Sequence, residues 1–388
     1  MQFPLMTDFL KCRLCSSPVE NKPVLSFLNM PSVAQFFSSD ISVASNQRLS
    51  IDIYQCLACG HIQLSDQILV PYFRDVIRQS KVSREMMRYR ESQFASFCSS
   101  FSLSNSSYIE LGCGRGEYLS IMKSSIPNSV GLEHSLESVE YCRDLDLNVI
   151  HGYLQDRPIT LSPYIGKFCS FGIYNFLEHI PTPVDYLRSL HQYLAFDAVG
   201  IVEVPNFDLM LDQLVYSDFS TEHLSYFTSE TLSTLLSLSG FKVLDVSPTW
   251  HNHILTAYVS RKSPLDSNSF YQKLSLDRDN ILSILSAFQK NQVAFWGAGH
   301  QSLAFIAQLD MSNSIGYIVD SAPVKQNTFA PSLCIPIHHP DHLRFSPPSV
   351  LVINASSYNS EVLRIVRAQF DFISHIYSIE NGALLKHS

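Results

Sequence analysis

At 388 residues the chain is long enough for two or three domains, and 46% hydrophobic with 16% charged residues describes a folded protein with a sizeable core. Lys and Arg number 27 against 35 Asp and Glu, so no basic excess marks nucleic acid as a partner. No apolar stretch reaches the roughly 18 residues that a membrane helix needs, and the start MQFPLMTDFLKCRLC lacks the order of a secretory signal.

Residues 1–70 hold two C-x2-C pairs, Cys12/Cys15 and Cys56/Cys59, out of nine cysteines in all. Four thiolates can stand at the corners of a tetrahedron, the arrangement of a closed structural Zn2+ site with no position left for water. Two unrelated pairs of buried cysteines would be the bland alternative, and His61 a substitute ligand. The other five cysteines are scattered and odd in number, which fits a reduced, cytoplasmic setting rather than a disulfide framework. Between the pairs come a turn signal, Asn29-Met-Pro31, and a strand-like run, Leu49 to Tyr54. A charged helical pattern then runs from Pro71 to about Phe101, and polar Ser102 to Ser107 reads as a linker.

From Tyr108 strand and helix signals alternate. Apolar runs at Tyr108–Leu111, Val130–Leu132, Asn148–Ile150, Phe168–Tyr174, Val199–Val204, Phe241–Val246 and Ile254–Val259 are mostly separated by helical patterns such as Val184–Leu194 and Ser229–Leu238. This order predicts an α/β fold: an open, largely parallel sheet with helices on both faces. The first run opens into Gly112-Cys-Gly114-Arg-Gly116, where glycine lets backbone N–H groups approach a ligand. A dinucleotide fingerprint would carry its third glycine where Glu117 stands, so the spacing favours an adenosyl ligand, S-adenosyl-L-methionine, over NAD. Glu133, 21 residues after Gly112 and at the end of the next run, is placed to accept both ribose hydroxyls. Glu110 and Asn175, at the ends of their own runs, complete the candidate cofactor contacts.

Two glutamate–histidine pairs follow strands of this sheet: Glu178-His179 in Asn-Phe-Leu-Glu-His-Ile-Pro181, and Glu222-His223 in Glu-His-Leu-Ser-Tyr226-Phe227. Either histidine could move a proton near neutral pH, and either could instead be an inert loop residue. Past a Ser/Pro/Asp stretch (Ser260–Ser269) and a helical segment (Tyr271–Gln289), a second α/β unit begins with Gln292–Trp296 and the turn Gly297-Ala-Gly299-His300. Ile315–Val319 ends at Asp320, which stands like a ribose acceptor, although an inherited turn without a ligand is equally compatible. Val350–Ile353 and Glu361–Phe370 read as a further strand and helix, and the His338-His339 pair with His342 reads as a surface turn.

Taken together, these motifs resemble the three-domain sugar C-methyltransferases that act on nucleotide-linked keto-deoxysugars. The likeness runs from the four-cysteine module with Leu28-Asn-Met-Pro31 and Gly60-His-Ile-Gln-Leu64, through Glu110–Gly116, Leu177–Pro181, Val202-Glu-Val-Pro205 and Glu222–Phe227, to Trp296–Gly299 and Val319-Asp320. It implies a zinc-binding domain (1–70), a helical linker (71–105), a class I, Rossmann-like methyltransferase domain (106–262) and a C-terminal Rossmann-like domain (263–388) that helps hold the substrate. It also implies methyl transfer to a sugar carbon beside a ketone, with His223 as base, Glu222 beside it, His179 as a second polar group, and Tyr226, Gly297, Gly299 and His300 toward the substrate. Ser220 stands where the family commonly has a tyrosine, so an oxygen or nitrogen acceptor, or a binding protein that has lost catalysis, would be the competing readings. No nucleic acid or membrane partner is expected.

Overall fold

The computed structural model describes residues 10–32, 37–46, 48–65, 82–155 and 161–387, which fall into two units, Met1–Ser263 and Pro264–Ser388. The first unit begins with strand β1 (Leu25–Pro31), a short helix α1 (Ile41–Asn46), β2 (Arg48–Gln55) and β3 (Ile62–Leu64). Alternation along β2 turns Ile51 and Ile53 into the core and Arg48 to solvent. The expected turn at Asn29-Met-Pro31 instead lies within β1. There Asn29 takes φ = 58° and the pairing with β2 slips between Phe27 and Met30, so the turn chemistry makes a bulge.

Of the helix expected from Pro71, residues up to Lys81 lie outside the described ones, and α2 (Arg84–Ser100) is observed. Ser83 caps it, its side chain accepting from Met86 N–H. Arg90, Phe94, Phe97 and Cys98 form its buried stripe, at helical spacing.

The strand–helix alternation follows: β4 (Ser107–Leu111), α3 (Glu117–Ser125), β5 (Asn128–Glu133), α4 (Leu136–Asp144), β6 (Val149–His151), β7 (Phe168–Tyr174), α5 (Pro183–Leu190), β8 (Leu194–Pro205), α6 (Phe207–Gln213), β9 (Ser225–Tyr226), α7 (Ser229–Leu238), β10 (Phe241–Thr249) and β11 (Ile254–Arg261). Seven of these strands form one sheet in the order β10-β11-β8-β7-β4-β5-β6, parallel from β8 to β6 and antiparallel at the β10-β11-β8 edge. One core cluster sets α2, α3 and α4 against the sheet, and another gathers α5 and α7. This is the Rossmann-like α/β arrangement expected from the sequence. The strand order reverses between β4 and β7, which opens a crevice beyond their carboxyl ends, where such sheets bind ligands. The two-residue β9 does not join this sheet. It pairs with β3 and completes a four-stranded sheet, β1-β2-β3-β9.

The second unit runs α8 (Ser267–Leu285), β12 (Val293–Trp296), α9 (His300–Gln308), β13 (Tyr317–Val319), β14 (Thr328–Phe329), β15 (Pro336–His338), α10 (His342–Phe345), β16 (Val350–Ile353), α11 (Asn359–Gln369), β17 (His375–Glu380) and β18 (Ala383–His387). Its sheet has the order β14-β15-β13-β12-β16-β17-β18, with a parallel centre and one antiparallel strand at each edge. The central strands Val293–Trp296 and Val350–Ile353 are buried throughout, as continuous apolar runs in a covered parallel sheet should be. Among the described residues no helix is long and apolar enough to cross a membrane.

Candidate active site

The first glycine turn sits at the carboxyl end of β4, beside the reversal point. Gly112 and Gly114 take φ of +67° and +54°, which other residues adopt only at a cost. A Cβ on Gly114 would meet no atom within 4 Å, so that side of the turn is open, whereas one on Gly112 would strike the Phe176 ring at 2.6 Å. Glu133 ends β5, buried, with Oε2 accepting from Gly114 N–H at 2.9 Å and Oε1 from Ser135 N–H at 2.8 Å. Burial pushes its carboxyl above the usual range, against the pull of the N–H groups of Ser135, Gly114 and His134. Glu110 lies buried in β4. Asn175, just past β7, takes φ = 47°, and its buried Oδ1 has no hydrogen-bond partner among the described residues.

Gly112, Glu133, His134, Tyr153, Phe176 and Tyr186 wall a narrow hollow beside this turn. The open face at Gly114, the acid at the next strand end and the unsatisfied Asn175 oxygen suit an adenosyl group. Sequence reading missed Phe176, because only the fold brings the end of β7 against the end of β4.

Glu203 of the Val-Glu-Val-Pro motif is fully buried and paired with Arg90, which is equally buried. Gln93 Nε2 and Thr256 Oγ1 donate to Glu203 Oε1 at 2.6 and 2.9 Å, and Arg90 lies over the Tyr118 and Tyr174 rings at 4.5 and 4.9 Å. The Glu203 carboxylate keeps the Arg90 guanidinium charged despite burial. This pair ties α2 to β8, and the Glu203 carbonyl accepts from Asn175 N–H at 2.9 Å, so the network also fixes the exit of β7.

That exit leads in three residues from Phe176 to His179, on a single helical turn (Leu177–His179). The structure brings the two Glu-His pairs together: the His179 and His223 rings meet edge to face, 4.9 Å between centroids at 75°. His179 Nδ1 donates to the Glu222 carbonyl at 2.8 Å, Leu224 N–H donates to the Glu178 carbonyl at 2.8 Å, and His179 Nε2 lies 3.9 Å from Glu178 Oε1. Burial lowers the His223 pKa to about 3, with a further push from His179, and lowers that of His179 to about 4 against the Glu222 hydrogen bond. Both rings are therefore neutral at pH 7, with a lone pair each to accept a proton.

His223 and Tyr226 border a cavity of about 370 Å³ that also touches Phe207, Met210, Ser220 and His253. Tyr226 is buried, its phenol held protonated by desolvation. Ser220 N–H donates to Tyr226 Oη at 3.0 Å, and the phenol donates back to the Ser220 carbonyl at 3.1 Å. Tyr226 thus reaches the segment where Ser220 replaces the expected tyrosine, whereas Tyr216 is exposed.

All four sulfur atoms of Cys12, Cys15, Cys56 and Cys59 lie within 4.8 Å of one another, and Cys12–Cys59 and Cys15–Cys56 are each 3.6 Å apart. Sulfurs around one tetrahedral zinc with ~2.3 Å bonds stand ~3.8 Å apart, so the donor set fits one thiophilic cation. His61 is not among these donors: it is buried, its ring packs on Phe227 and Nε2 lies 3.2 Å from Ser225 Oγ.

In the second unit Gly297 is buried at the end of β12, while Gly299 and His300 are exposed at the start of α9. Asp320 is buried and accepts from Ala298 and Ala322 N–H and from Lys325 Nζ. His338 and His342 are not on a plain surface turn. One ends β15 and the other starts α10, with rings stacked at 4.0 Å. No third donor joins them into a metal cluster among the described residues.

Comparison with known proteins gives two matches in chain order: a methyltransferase domain over residues 79–246 and a C-methyltransferase C-terminal domain over residues 262–373. The C-methyltransferase NovU of Streptomyces niveus is 20% identical over 387 residues, covering 91% of each protein. Among solved structures, the plantazolicin methyltransferase BpumL, in complex with a desmethyl analogue and SAH, overlaps 45% of this chain and 83% of its own (TM-score 0.37, 15% identity). An S-adenosylmethionine-dependent methyltransferase from Clostridium acetobutylicum overlaps 50% and 97% (TM-score 0.38, 14% identity). With both domain matches in order and a C-methyltransferase relative aligned over nine-tenths of its length, the chain is an S-adenosylmethionine-dependent methyltransferase that carries a C-methyltransferase C-terminal domain.

Proposed function

We propose that the protein methylates a carbon beside the ketone of a nucleotide-linked deoxysugar. The observation that carries this reading is the neutral His179–His223 pair, in which His179 is buried and His223 opens onto the cavity that Tyr226 also borders. When bound at the Gly112–Gly116 turn, S-adenosylmethionine supplies an electrophilic methyl group. Glu133 holds the ribose of this donor, and Glu110 and Asn175 flank the same site.

A carbon becomes nucleophilic only once its proton leaves, so the site needs a base and a donor to the enolate oxygen. His223 takes the proton. Because burial disfavours its charged form, His223 ionises readily only as the enolate's negative charge forms beside it, and the two charges then stabilise each other. Glu222 holds His179 through its backbone carbonyl, and Tyr226, which borders the cavity, would turn its O–H from the Ser220 carbonyl to the enolate oxygen. The replacement at Ser220 favours a second reading, in which the acceptor is an oxygen or nitrogen.

Incubation with methyl-labelled cofactor and dTDP-linked keto-deoxysugars separates the two. Base-stable label on a sugar carbon is expected, and label on oxygen or nitrogen overturns carbon transfer. His223→Ala should lower the rate by about 10²–10⁴-fold while leaving the affinity for the demethylated cofactor within about twofold. The four thiolates hold one structural zinc in this reading. Elemental analysis of reduced protein should return one zinc per chain, lost when Cys56→Ser is introduced.

A further inference from the structure

The two imidazoles ride on segments with little regular structure of their own, yet their rings meet at a defined distance and angle. What fixes these segments comes from the cysteine module. Arg13, between Cys12 and Cys15, donates from Nη1 to the carbonyl of Pro181, two residues beyond His179, at 2.8 Å. The His223 segment is held by β3: Ile62 pairs with Tyr226, Gln63 with Ser225, and Leu64 N–H donates to the Leu224 carbonyl at 3.1 Å.

The two anchors are bonded to each other. The fully buried Gln63 side chain accepts from Arg13 N–H at 2.8 Å and donates to the Lys11 carbonyl at 2.9 Å. One continuous path therefore leads from Pro181 through Arg13 and Gln63 to Ser225, and it closes where the His179 and His223 segments bond directly. A surface groove lined by Arg13, Pro181 and Arg188 adjoins this path, so the path borders solvent at its Arg13 end.

We propose that Arg13 and Gln63 are positioning residues for the acceptor site: joined to each other, they set the geometry of the His179–His223 pair without touching substrate. This rests on the function proposed above, because it assigns the pair to the methyl acceptor. In physical terms, a shift of ~1 Å between groups that must meet a reacting carbon costs about 10²-fold in rate, and a single lost hydrogen bond allows it.

The test compares Arg13→Met, Arg13→Lys and Gln63→Ala in the full-length, metal-replete protein. Hydrogen exchange of 177–181 and 220–226 is measured alongside calorimetric affinity for the demethylated cofactor, with kcat and KM on dTDP-4-keto-6-deoxyglucose. Arg13→Met and Gln63→Ala should speed exchange in both segments by about fivefold or more, lower kcat by about 10–100-fold and leave cofactor affinity within about twofold. Arg13→Lys, which retains a donor for Pro181, should recover most of kcat. Unchanged exchange in both segments, or a lysine variant no better than methionine, overturns the proposal. Should a substitution at Arg13 prevent folding, Gln63→Ala decides alone: faster exchange in both 177–181 and 220–226 supports the brace, and unchanged exchange overturns it. Should the unaltered protein leave the probe unmethylated, the function reading fails, and the exchange data still judge the brace.

Discussion

The two α/β units repeat one plan, a glycine turn after a central strand with an acid at the end of the next, and they finish it differently. In the first, Glu133 accepts only backbone N–H groups in the described hydrogen bonds, and the Gly114 side of the turn is open. In the second, Asp320 also receives Lys325 Nζ at 3.0 Å. The turns themselves are alike: a Cβ on Gly297 would meet the Asn354 carbonyl at 2.7 Å as one on Gly112 meets Phe176 at 2.6 Å, and Gly299 is as open as Gly114. Burial alone would raise the Asp320 pKa, but the N–H groups of Ala322 and Ala298 and the Lys325 ammonium hold it below the usual range. A strand–turn–helix with an acid in register therefore identifies a fold. Whether it also makes a nucleotide site depends on what already satisfies the acid.

The strongest way to break this contrast is to remove each unit's buried or half-buried cation. Arg90→Met strands the Glu203 charge in the core of the first unit and should cost about 3–5 kcal/mol in denaturant titration. Lys325→Met, whose ammonium is 36% exposed, should cost about 0–1 kcal/mol. Equal losses would mean that Arg90 is not the anchor its burial indicates.

Substitution in the turns themselves sharpens the comparison. Gly114→Val places a β-branched residue at positive φ in the open face and should weaken binding of the demethylated cofactor by about 100-fold in calorimetry. Gly299→Val in the second unit should leave that affinity unchanged.

The smallest effect is on pH. His179 and His223 have folded pKa values of about 4 and about 3, below the unfolded value near 6.5. The unfolded chain therefore binds protons first as pH falls, and the stability from keeping these rings neutral is present above pH 6.5 and lost progressively toward pH 3–4. Chemical denaturation at pH 7.5 and 5.5 should show a loss of about 1 kcal/mol per ring. A His179→Asn, His223→Asn protein should lose correspondingly less.

Local signals made much of this legible in the sequence. Phe168–Tyr174, Val350–Ile353 and Ser229–Leu238 have the bounds read from apolar runs and helical spacing, and Thr228 caps the last with Thr231 in a capping box. Glu133, His179 and His223 read as candidates because glycine turns and strand ends are where such folds place chemistry. Features set by distant partners were not legible. Arg90 sits in a charged helical run that reads as solvent-facing, and its partner Glu203 is 113 residues away. The β3–β9 pairing gives no signal in two residues, and Asn29 reads as a turn because a bulge uses the same residue types.

That β3–β9 pairing also bears on synthesis. The last strand of the N-terminal sheet leaves the ribosome about 160 residues after its neighbour, a wait of roughly 8–32 s at about 5–20 residues per second. Throughout that interval Ile62 and Leu64, buried in the finished protein, have an open edge beside them. An unpaired edge of this kind is a template for pairing with another chain, so the nascent protein is open to misassociation there until β9 arrives.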